Sequence, residues 1–314
     1  MRACLRSAFR GNEPIEDRPV GISFDRMNGQ IWYDGQLVPW AEAKLHVLTH
    51  GLHYASAVFE GERAYDGVVF KSKEHSERLK NSARILDFDI PFSVAEIDAA
   101  KQLVIGASGL PDAYVRAIAW RGAEMMGVSA RANTIHLAIA AWNWPSYFDA
   151  GDKSKGIRIG WAEYRRPDPS TIPALAKASG LYMICTISKH KAEDQGYADA
   201  LMLDWQGRIA ECTSANVFFV REGQLHTPIA DCFLAGITRA TVIELARRRG
   251  IEVVERRILP EELANFSECF ITGSAAELTP VAEIGQFKFV PGRISQQLMV
   301  DYGQEVRPKG KSAG

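Results

Sequence analysis

Lys177 lies in the stretch TIPALAKASGLYM (171–183), where its neighbours are small or apolar and three prolines precede it, at 167, 169 and 173. Most lysines are solvated surface charges, and that interpretation fits any single lysine. A lysine with small neighbours can also be approached closely by a ligand. If its amine is desolvated, its pKa falls and it can form a Schiff base with a carbonyl. The stretch is therefore compatible with a surface lysine or with a nucleophile.

A carbonyl cofactor such as pyridoxal phosphate would require an anion site, a carboxylate for its ring nitrogen and a donor for its ring hydroxyl. Gly236, Ile237 and Thr238 stand at the predicted start of an amphipathic helix, where backbone N–H groups have no helical acceptor. A plain threonine N-cap explains Thr238 equally well. Ser274 supplies a hydroxyl in a second turn of small residues, ITGSAAELTP.

Three further polar residues could complete such a site. Glu211 lies in the predicted strand RIAECTSANVFFV, either on a solvated face or as an inward carboxylate. Tyr182 follows Lys177 by five residues and could lie on the same side. Arg116 lies in the strand AYVRAIAW, where a buried guanidinium would need an anion and an outward one would be a surface residue.

Two other motifs are weaker. His46, His50 and His53 have helical spacing, but no carboxylate is near and a glycine interrupts the run, which disfavours a metal site. The stretch GDKSKGIR (151–158) has the glycine spacing of a P-loop but ends in Ile-Arg where Lys-Ser/Thr is required. We therefore expect no metal and no nucleotide-binding fold.

The composition predicts a globular protein with a large core. The chain has 314 residues, 46% of them hydrophobic, and a net charge of −1, which favours neither nucleic acid nor a membrane surface as a partner. No apolar run approaches the length of a membrane span. Five scattered cysteines without a CxxC motif indicate a reducing compartment, so we expect a cytoplasmic protein. Arginines at 2, 6 and 10 suit a mitochondrial presequence, although a disordered N-terminus explains them more simply.

Strand and helix patterns alternate in both halves of the chain, which predicts an α+β fold. The first half reads as strands with hairpin turns at MNGQ and YDGQ, two helices over 72–88 and 93–109, and the strands AYVRAIAW and TIHLAIAAWNW. Ser93 and Glu96 have the spacing of a capping box at the start of the second helix.

The second half begins with the strand IRIGWAEY and continues with helix LYMICTISKHKAEDQG. A β-meander is predicted over ADALMLDWQGRIAECTSANVFFVREGQLHTP, followed by the helix at GITRATVIELARRRG and a short helix at LPEELANF. The predicted organisation is a disordered N-terminus (1–18), a small α/β domain (19–145), a linker (146–156), a large domain (157–305) and a disordered tail (306–314).

Five stretches in this order resemble the fold-type IV pyridoxal phosphate enzymes: IPALAKASGLYM, GYADALMLDWQGRIAECTSANVFFV, LAGITR, LARRRGIEVVER and ITGSAAELTPV. This family contains branched-chain aminotransferases, D-amino acid aminotransferases and aminodeoxychorismate lyases. The resemblance runs from about residue 28 to 302. It implies a two-domain fold like that of D-amino acid aminotransferase, with a smaller N-terminal α/β domain and a larger cofactor-binding domain that has a barrel-like sheet.

The resemblance also implies roles for individual residues. Lys177 is the implied Schiff-base lysine and proton shuttle, Glu211 pairs with the pyridine nitrogen and Tyr182 contacts the ring hydroxyl. The implied cofactor-binding set is Arg78, Lys177, Tyr182, Glu211, Ser214, Leu234, Gly236, Ile237, Thr238 and Ser274. The chain reads ECTSAN where branched-chain members often read EGxGEN, and Ser274 stands where the family often has Thr.

The first half resembles branched-chain aminotransferases most, through Phe59-Glu-Gly-x-Arg63 and the Tyr-x-Arg of Tyr114 and Arg116. The implied substrate-binding set is Tyr54, Phe59, Gly61, Arg63, Tyr114, Arg116, Met126, Val128, Trp144, Ser274 and Ala275. In such enzymes the neighbouring subunit completes the pocket, here with Tyr54 and Val128, so the resemblance implies a homodimer.

The implied reaction is a ping-pong transamination that moves the amino group of L-leucine, L-isoleucine or L-valine to 2-oxoglutarate. The products are the branched 2-oxo acid and L-glutamate. Transamination of D-amino acids or (R)-amines, and the aminodeoxychorismate lyase reaction, stay open as alternatives on the same fold. A protein that binds pyridoxal phosphate without turnover is a more remote one.

Overall fold

The computed structural model describes residues 23–144 and 155–307. The described chain forms two sheets with helices packed on them, so the mixed α/β fold predicted from the sequence is confirmed. Three predicted segments lie wholly or largely outside the described residues. They are the N-terminal segment with its possible presequence, most of the linker, and the first half of the P-loop-like stretch. No helix in these two ranges has the length and apolar character that a membrane crossing requires.

The first sheet is antiparallel and its strands run in the order β2-β1-β7-β6-β4-β5, with β3 also pairing with β6. Its strands are β1 (Gln30–Tyr33), β2 (Gln36–Pro39), β3 (Ala57–Phe59), β4 (Glu62–Tyr65), β5 (Val68–Val69), β6 (Ala113–Arg121) and β7 (Ile135–Trp142). Three helices accompany it: α1 (His50–Tyr54), α2 (Ser72–Ile85) and α3 (Val94–Ser108).

Local sequence signals explain the bounds of α3. The Ser93 side chain accepts a hydrogen bond from the Glu96 backbone N–H, and the Glu96 carboxylate accepts one from the Ser93 backbone N–H. These two bonds form the predicted capping box. Gly109 ends the helix in the left-handed region, with φ of 66°. The hairpin expected at MNGQ is wrong, because a 3-10 helix (Phe24–Arg26), not a strand, precedes this turn.

The second sheet has the order β10-β9-β8-β15-β14-β11-β12-β13, with β16 beside β15, and curls into a half-barrel. Its strands are β8 (Ile157–Trp161), β9 (Asp199–Leu203), β10 (Ile209–Cys212), β11 (Asn216–Arg221), β12 (Gln224–Pro228), β13 (Val253–Arg256), β14 (Glu268–Gly273), β15 (Glu277–Ile284) and β16 (Phe287–Lys288). Its helices are α4 (Met183–Asp194), α5 (Ile237–Arg248) and α6 (Arg293–Val306). The last helix extends one residue into the segment predicted as a tail.

The predicted β-meander is wrong. The hairpins β9–β10 and β11–β12 both form, but β8, β15 and β14 separate them in the sheet. The reason is that β9 pairs in parallel with β8, while β11 pairs with β14. The helix predicted at LPEELANF is a 3-10 helix of six residues, Pro260–Asn265, and not an α-helix.

A segment from the second half of the chain is built into the core of the first sheet. Ala176, Ala178 and Leu181 are buried there with Val58 and Leu79. Ala178 also forms an isolated bridge with Val58, which joins the segment to β3. The residue between these alanines, Lys177, is therefore located at the junction of the two sheets.

Candidate active site

A cavity between the two sheets gathers most of the residues singled out in the sequence. Fifteen of them line it: Phe59, Gly61, Arg78, Tyr114, Arg116, Lys177, Tyr182, Glu211, Ser214, Leu234, Gly236, Ile237, Thr238, Ser274 and Ala275. They come mainly from strands β3, β6 and β10, from helix α2, from the start of α5 and from the loop after β14. Residues far apart in the chain are thus brought to one site.

The amine of Lys177 lies beside two aromatic side chains in the cavity. Its Nζ donates to the hydroxyl of Tyr182 at 2.8 Å and lies 5.0 Å from the ring centroid of Phe59. A 3-10 helix, Ser179–Leu181, turns the chain so that Tyr182 returns to the lysine. The backbone is fixed as well, because the Lys177 N–H donates to Ser82 Oγ and its carbonyl accepts from the Phe59 N–H, both at 3.0 Å.

Glu211 is buried on β10, so it does not occupy a solvated face. Burial raises the pKa of its carboxyl to about 7, against the opposing charges of Arg166 and Lys177. The Asn216 side-chain amide donates to Glu211 Oε2 at 3.2 Å, and Arg166 Nε lies 3.4 Å from Oε1. Near neutral pH this carboxyl is poised between its charged and protonated forms.

The surroundings of Glu211 contain residues that the sequence analysis missed. Arg166 is buried, donates to Cys185 Sγ at 3.4 Å, and has no hydrogen-bond partner for Nε among the described residues. Asp199 accepts from Thr213 Oγ1 at 2.5 Å, and burial raises the pKa of its carboxyl. In the sequence Arg166 cannot be told from the adjacent Arg165, and only the proline that follows hints at a fixed loop.

One end of the cavity has the features of an anion site. Helix α5 begins at Ile237, and its first-turn N–H groups have no acceptor within the helix. The Asn216 side chain accepts from the Gly236 N–H at 3.0 Å. A Cβ at position 236 would lie 2.3 Å from this oxygen, so only glycine allows the contact. Buried Thr238 and, from the opposite loop, Ser274 add hydroxyls.

Arg78 supplies a cation from α2 to the same cavity. Its Nε and Nη2 donate to the two oxygens of Glu60, each at 2.7 Å, and His75 Nδ1 lies 2.7 Å from Glu60 Oε2. Although burial opposes it, these pairings hold the pKa of Glu60 well below its usual range. The carboxylate fixes the guanidinium plane and leaves Nη1 for a ligand.

Arg116 lies at the other end of the cavity among aromatic rings. Its guanidinium carbon is 4.7 Å from the ring centroid of Phe59, and Nη2 donates to the Tyr114 hydroxyl at 3.1 Å. Its Nε is buried, and none of the described residues accepts from it. Gly61 leaves room for the same tyrosine, since a Cβ there would lie 2.1 Å from the hydroxyl.

Five predicted substrate residues do not line the cavity. Arg63 donates from Nε to the Ser274 carbonyl at 3.0 Å, and the ring of Trp144 lies 4.7 Å from that of Tyr114. Tyr54 and Val128 are exposed on the surface, and Met126 is half-buried. Of the three histidines, His50 is buried, with its ring nitrogens close to the Gly127 carbonyl and to Ser56 Oγ.

This arrangement fits pyridoxal 5′-phosphate. The Lys177 amine can react with an aldehyde, the Glu211 carboxyl can hold a proton on a ring nitrogen, and the start of α5 can bind a phosphate. Thr272 Oγ1 and the Nε atoms of Arg116 and Arg166 are buried without partners among the described residues, so the cavity has polar groups left for a ligand.

Comparisons with known proteins point to the same cofactor and family as the residues of the cavity. The family described as "Amino-transferase class IV" matches residues 57–284. The probable branched-chain-amino-acid aminotransferase of Rickettsia felis is 42% identical over 291 residues, 91% of this chain and 99% of that protein. The branched-chain-amino-acid aminotransferase of Pseudomonas aeruginosa is 38% identical over 276 residues, 87% and 90% of the two chains.

A solved structure is similar over the same range. The branched-chain amino acid aminotransferase of Thermobaculum terrenum, in its PLP-bound holo form, has a TM-score of 0.82 and 30% identity, covering 89% of this chain and 94% of that one. The resemblance and the cofactor inferred from the sequence are thereby confirmed. Because the family match spans more than half of the sequence, this protein belongs to the class IV aminotransferases, enzymes that use pyridoxal 5′-phosphate.

Proposed function

We propose that this enzyme transfers the amino group of L-leucine, L-isoleucine or L-valine to 2-oxoglutarate in a ping-pong reaction, releasing the branched 2-oxo acid and L-glutamate. One observation carries the proposal: Arg116 lies beside the aromatic rings of Phe59 and Tyr114, and its buried Nε has no partner among the described residues. The aromatic wall can contact a branched aliphatic side chain, and the Arg116 guanidinium can donate hydrogen bonds to the second carboxylate of 2-oxoglutarate. The names of the similar proteins support branched-chain amino acids as the amino donors.

Pyridoxal phosphate, when bound, supplies an aldehyde and an electron-withdrawing ring. Lys177 provides the amine that holds the cofactor and then moves the proton from the substrate α-carbon, first as base and then as acid. The Tyr182 hydroxyl fixes the amine at 2.8 Å and accepts one of its hydrogen bonds. Arg78, Ile237, Thr238 and Ser274 bind the phosphate, with Ser214, Leu234 and Gly236 beside them.

Glu211 keeps a proton on the ring nitrogen. A carboxyl with a pKa of about 7 shares a proton readily with a pyridine nitrogen, and a protonated ring withdraws electrons more strongly. Asn216 orients Glu211 through Oε2 and also accepts from the Gly236 N–H at the phosphate end. One amide side chain therefore links the two ends of the cofactor site.

We further propose a cytoplasmic homodimer with a small domain (19–145) and a large domain (157–305), each built on one sheet. Leu52, Tyr54 and Val128 are exposed apolar side chains outside this chain's own cavity, which suits a surface that a second copy covers. Tyr54 and Val128 would then complete the partner's substrate pocket, with Met126 and Trp144 nearby. Four described cysteines are buried and free, as in a reducing compartment.

Lys177→Ala should abolish turnover of L-leucine with 2-oxoglutarate, because no other described group in the cavity offers an amine. The cofactor should then be held by non-covalent contacts alone and should be lost on gel filtration. Lys191→Ala is the matched control, since this exposed lysine lies outside the cavity. Normal turnover by Lys177→Ala would end the proposed mechanism. Turnover of D-alanine but not L-leucine by the wild type would favour the D-amino acid alternative.

Glu211→Gln should change the pH dependence of stability in the cofactor-free protein. A carboxyl whose pKa rises from 4.5 to about 7 on folding takes up a proton, so its contribution to stability is lost as pH rises through that window. Relative to wild type, the glutamine variant should gain about 3 kcal/mol in free energy of unfolding between pH 4.5 and 8. Urea unfolding at several pH values measures this. Parallel pH profiles for the two proteins would contradict it.

Arg116→Ala should reduce kcat/KM for 2-oxoglutarate by about 100-fold, because a buried charged contact is lost. The kcat/KM for L-leucine should fall by less than about 5-fold. Separate half-reactions measured by stopped flow distinguish the two substrates. Arg165→Ala is the control, an arginine that does not line the cavity. Equal losses for both substrates would remove the proposed role of Arg116.

Leu52→Asp should convert the dimer into monomers of 34.7 kDa and reduce activity, because it puts a charge on the proposed apolar interface. Analytical ultracentrifugation of wild type and variant measures the mass. A wild-type protein that sediments as a monomer at micromolar concentration would rule out the dimer.

A further inference from the structure

The loop between β14 and β15 forms part of the cavity wall. Residues 274–276 make this three-residue loop, which Gly273 and Glu277 close as paired residues. Glu277 has φ of +53°, in the left-handed region where a side chain is disfavoured and where such loops usually have glycine. A glutamate in this conformation needs an interaction that holds it there.

Tyr65 provides that interaction across the junction of the two sheets. Its hydroxyl donates to Glu277 Oε1 at 2.9 Å. Arg63, two residues earlier on β4 and so on the same face of the strand, donates from Nε to the Ser274 carbonyl at 3.0 Å. One strand of the first sheet therefore contacts both ends of a loop that belongs to the second sheet.

Tyr65 is itself held firmly. It is buried, and the guanidinium of Arg307, at the end of the described chain, lies 5.1 Å from its ring centroid. Arg307 also pairs with Asp66 and Asp112, which anchor it to the first sheet. Burial raises the pKa of Tyr65 far above its usual range, so the hydroxyl stays a donor at every working pH.

The other acidic residues at positive φ differ from Glu277. Asp34, Asp66 and Glu222 each precede a glycine at the centre of a hairpin turn, where both residues must adopt positive φ. Asp87 follows the end of helix α2, where a left-handed residue is common. Glu277 instead begins a largely buried strand. Turn and helix-end geometry therefore explain the four other acids but not the choice of glutamate at 277.

We propose that Tyr65 and Glu277 are positioning residues, whose hydrogen bond holds the loop 274–276 in the shape that binds the substrate. Neither residue lines the cavity, so they act through Ser274 and Ala275, which do. The inference rests on the proposed function, in which Ser274 binds the phosphate, and on the family resemblance, which places Ser274 and Ala275 among the substrate-binding residues. Loss of the hydrogen bond frees the loop and weakens substrate binding without removing any reacting group.

Tyr65→Phe in the holoenzyme tests this, because it removes one hydroxyl and keeps the ring. KM for L-leucine and for 2-oxoglutarate should rise about 3- to 10-fold, while kcat stays within about 2-fold. The Kd of 4-methylvaleric acid, which has the leucine skeleton without the amine, should rise by the same factor in calorimetry. Tyr33→Phe, on β1 of the same sheet, is the matched control and should change none of these constants.

Two variants of Glu277 separate positioning from stability. Glu277→Gln keeps an acceptor for Tyr65 and should behave like wild type. Glu277→Gly removes the acceptor but adopts the required φ freely, so its KM and Kd should rise at least as much as those of Tyr65→Phe. The double variant Tyr65→Phe/Glu277→Gly should bind no more weakly than Glu277→Gly alone. A purely structural hydrogen bond would lower Tm in Tyr65→Phe and leave KM and Kd unchanged.

The inference and the proposed function fail in different ways. Unchanged KM and Kd in both Tyr65→Phe and Glu277→Gly would overturn the positioning role and leave the proposed substrates intact. A wild-type enzyme that turns over another amino acid but not L-leucine would overturn the proposed substrates. The KM ratios of the variants would then be measured with that amino acid, and wild-type values would again overturn the positioning role.

Discussion

The geometry of the site depends on how the backbone of Lys177 is held. Its N–H donates to Ser82 Oγ on α2, its carbonyl accepts from the Phe59 N–H, and the next residue bridges to Val58. All three contacts belong to the first sheet and its helices, although Lys177 precedes the strands that form most of the second sheet. The amine must therefore emerge at the junction, and the groups that complete the site have to come from the second sheet across the cavity.

The pKa values of two buried carboxyls, Glu60 and Glu211, are shifted in opposite directions for an identifiable reason. Glu60 accepts two hydrogen bonds from Arg78 and faces His75, and its pKa is lowered despite complete burial. Glu211 is also buried, but Arg166 Nε lies 3.4 Å from its Oε1 and makes no hydrogen bond to it. The pKa of Glu211 is raised. At Glu60 the charge of Arg78, together with the hydrogen bonds from Arg78 and His75, outweighs burial, whereas at Glu211 burial outweighs the charges of Arg166 and Lys177. The first carboxyl is a permanent anion that orients a cation, and the second remains able to share a proton.

The sequence predicted those helix ends that depend on contacts between residues a few positions apart in the chain. The capping box at Ser93 and the helix start at Gly236 follow from backbone groups that need partners within a few residues. The order of strands in the second sheet could not be predicted this way, because the parallel pairing of β8 with β9 and β15 joins segments far apart in the chain. Arg166 was missed for the same reason. Only the fold distinguishes it from Arg165, by bringing it next to Glu211.

The stretch ECTSAN forms the turn between β10 and β11 at the wall of the cavity. Its two ends make the contacts that matter to a ligand: Glu211 with its raised pKa, and Asn216, which bonds both Glu211 and the Gly236 N–H. Between them, Thr213 bonds Asp199, and the Cys212 N–H donates to the carbonyl of residue 215. These inner contacts close the turn without the glycines common in branched-chain members of the family. In this chain the turn is therefore closed by hydrogen bonds of its inner residues, while Glu211 and Asn216 at its two ends line the cavity.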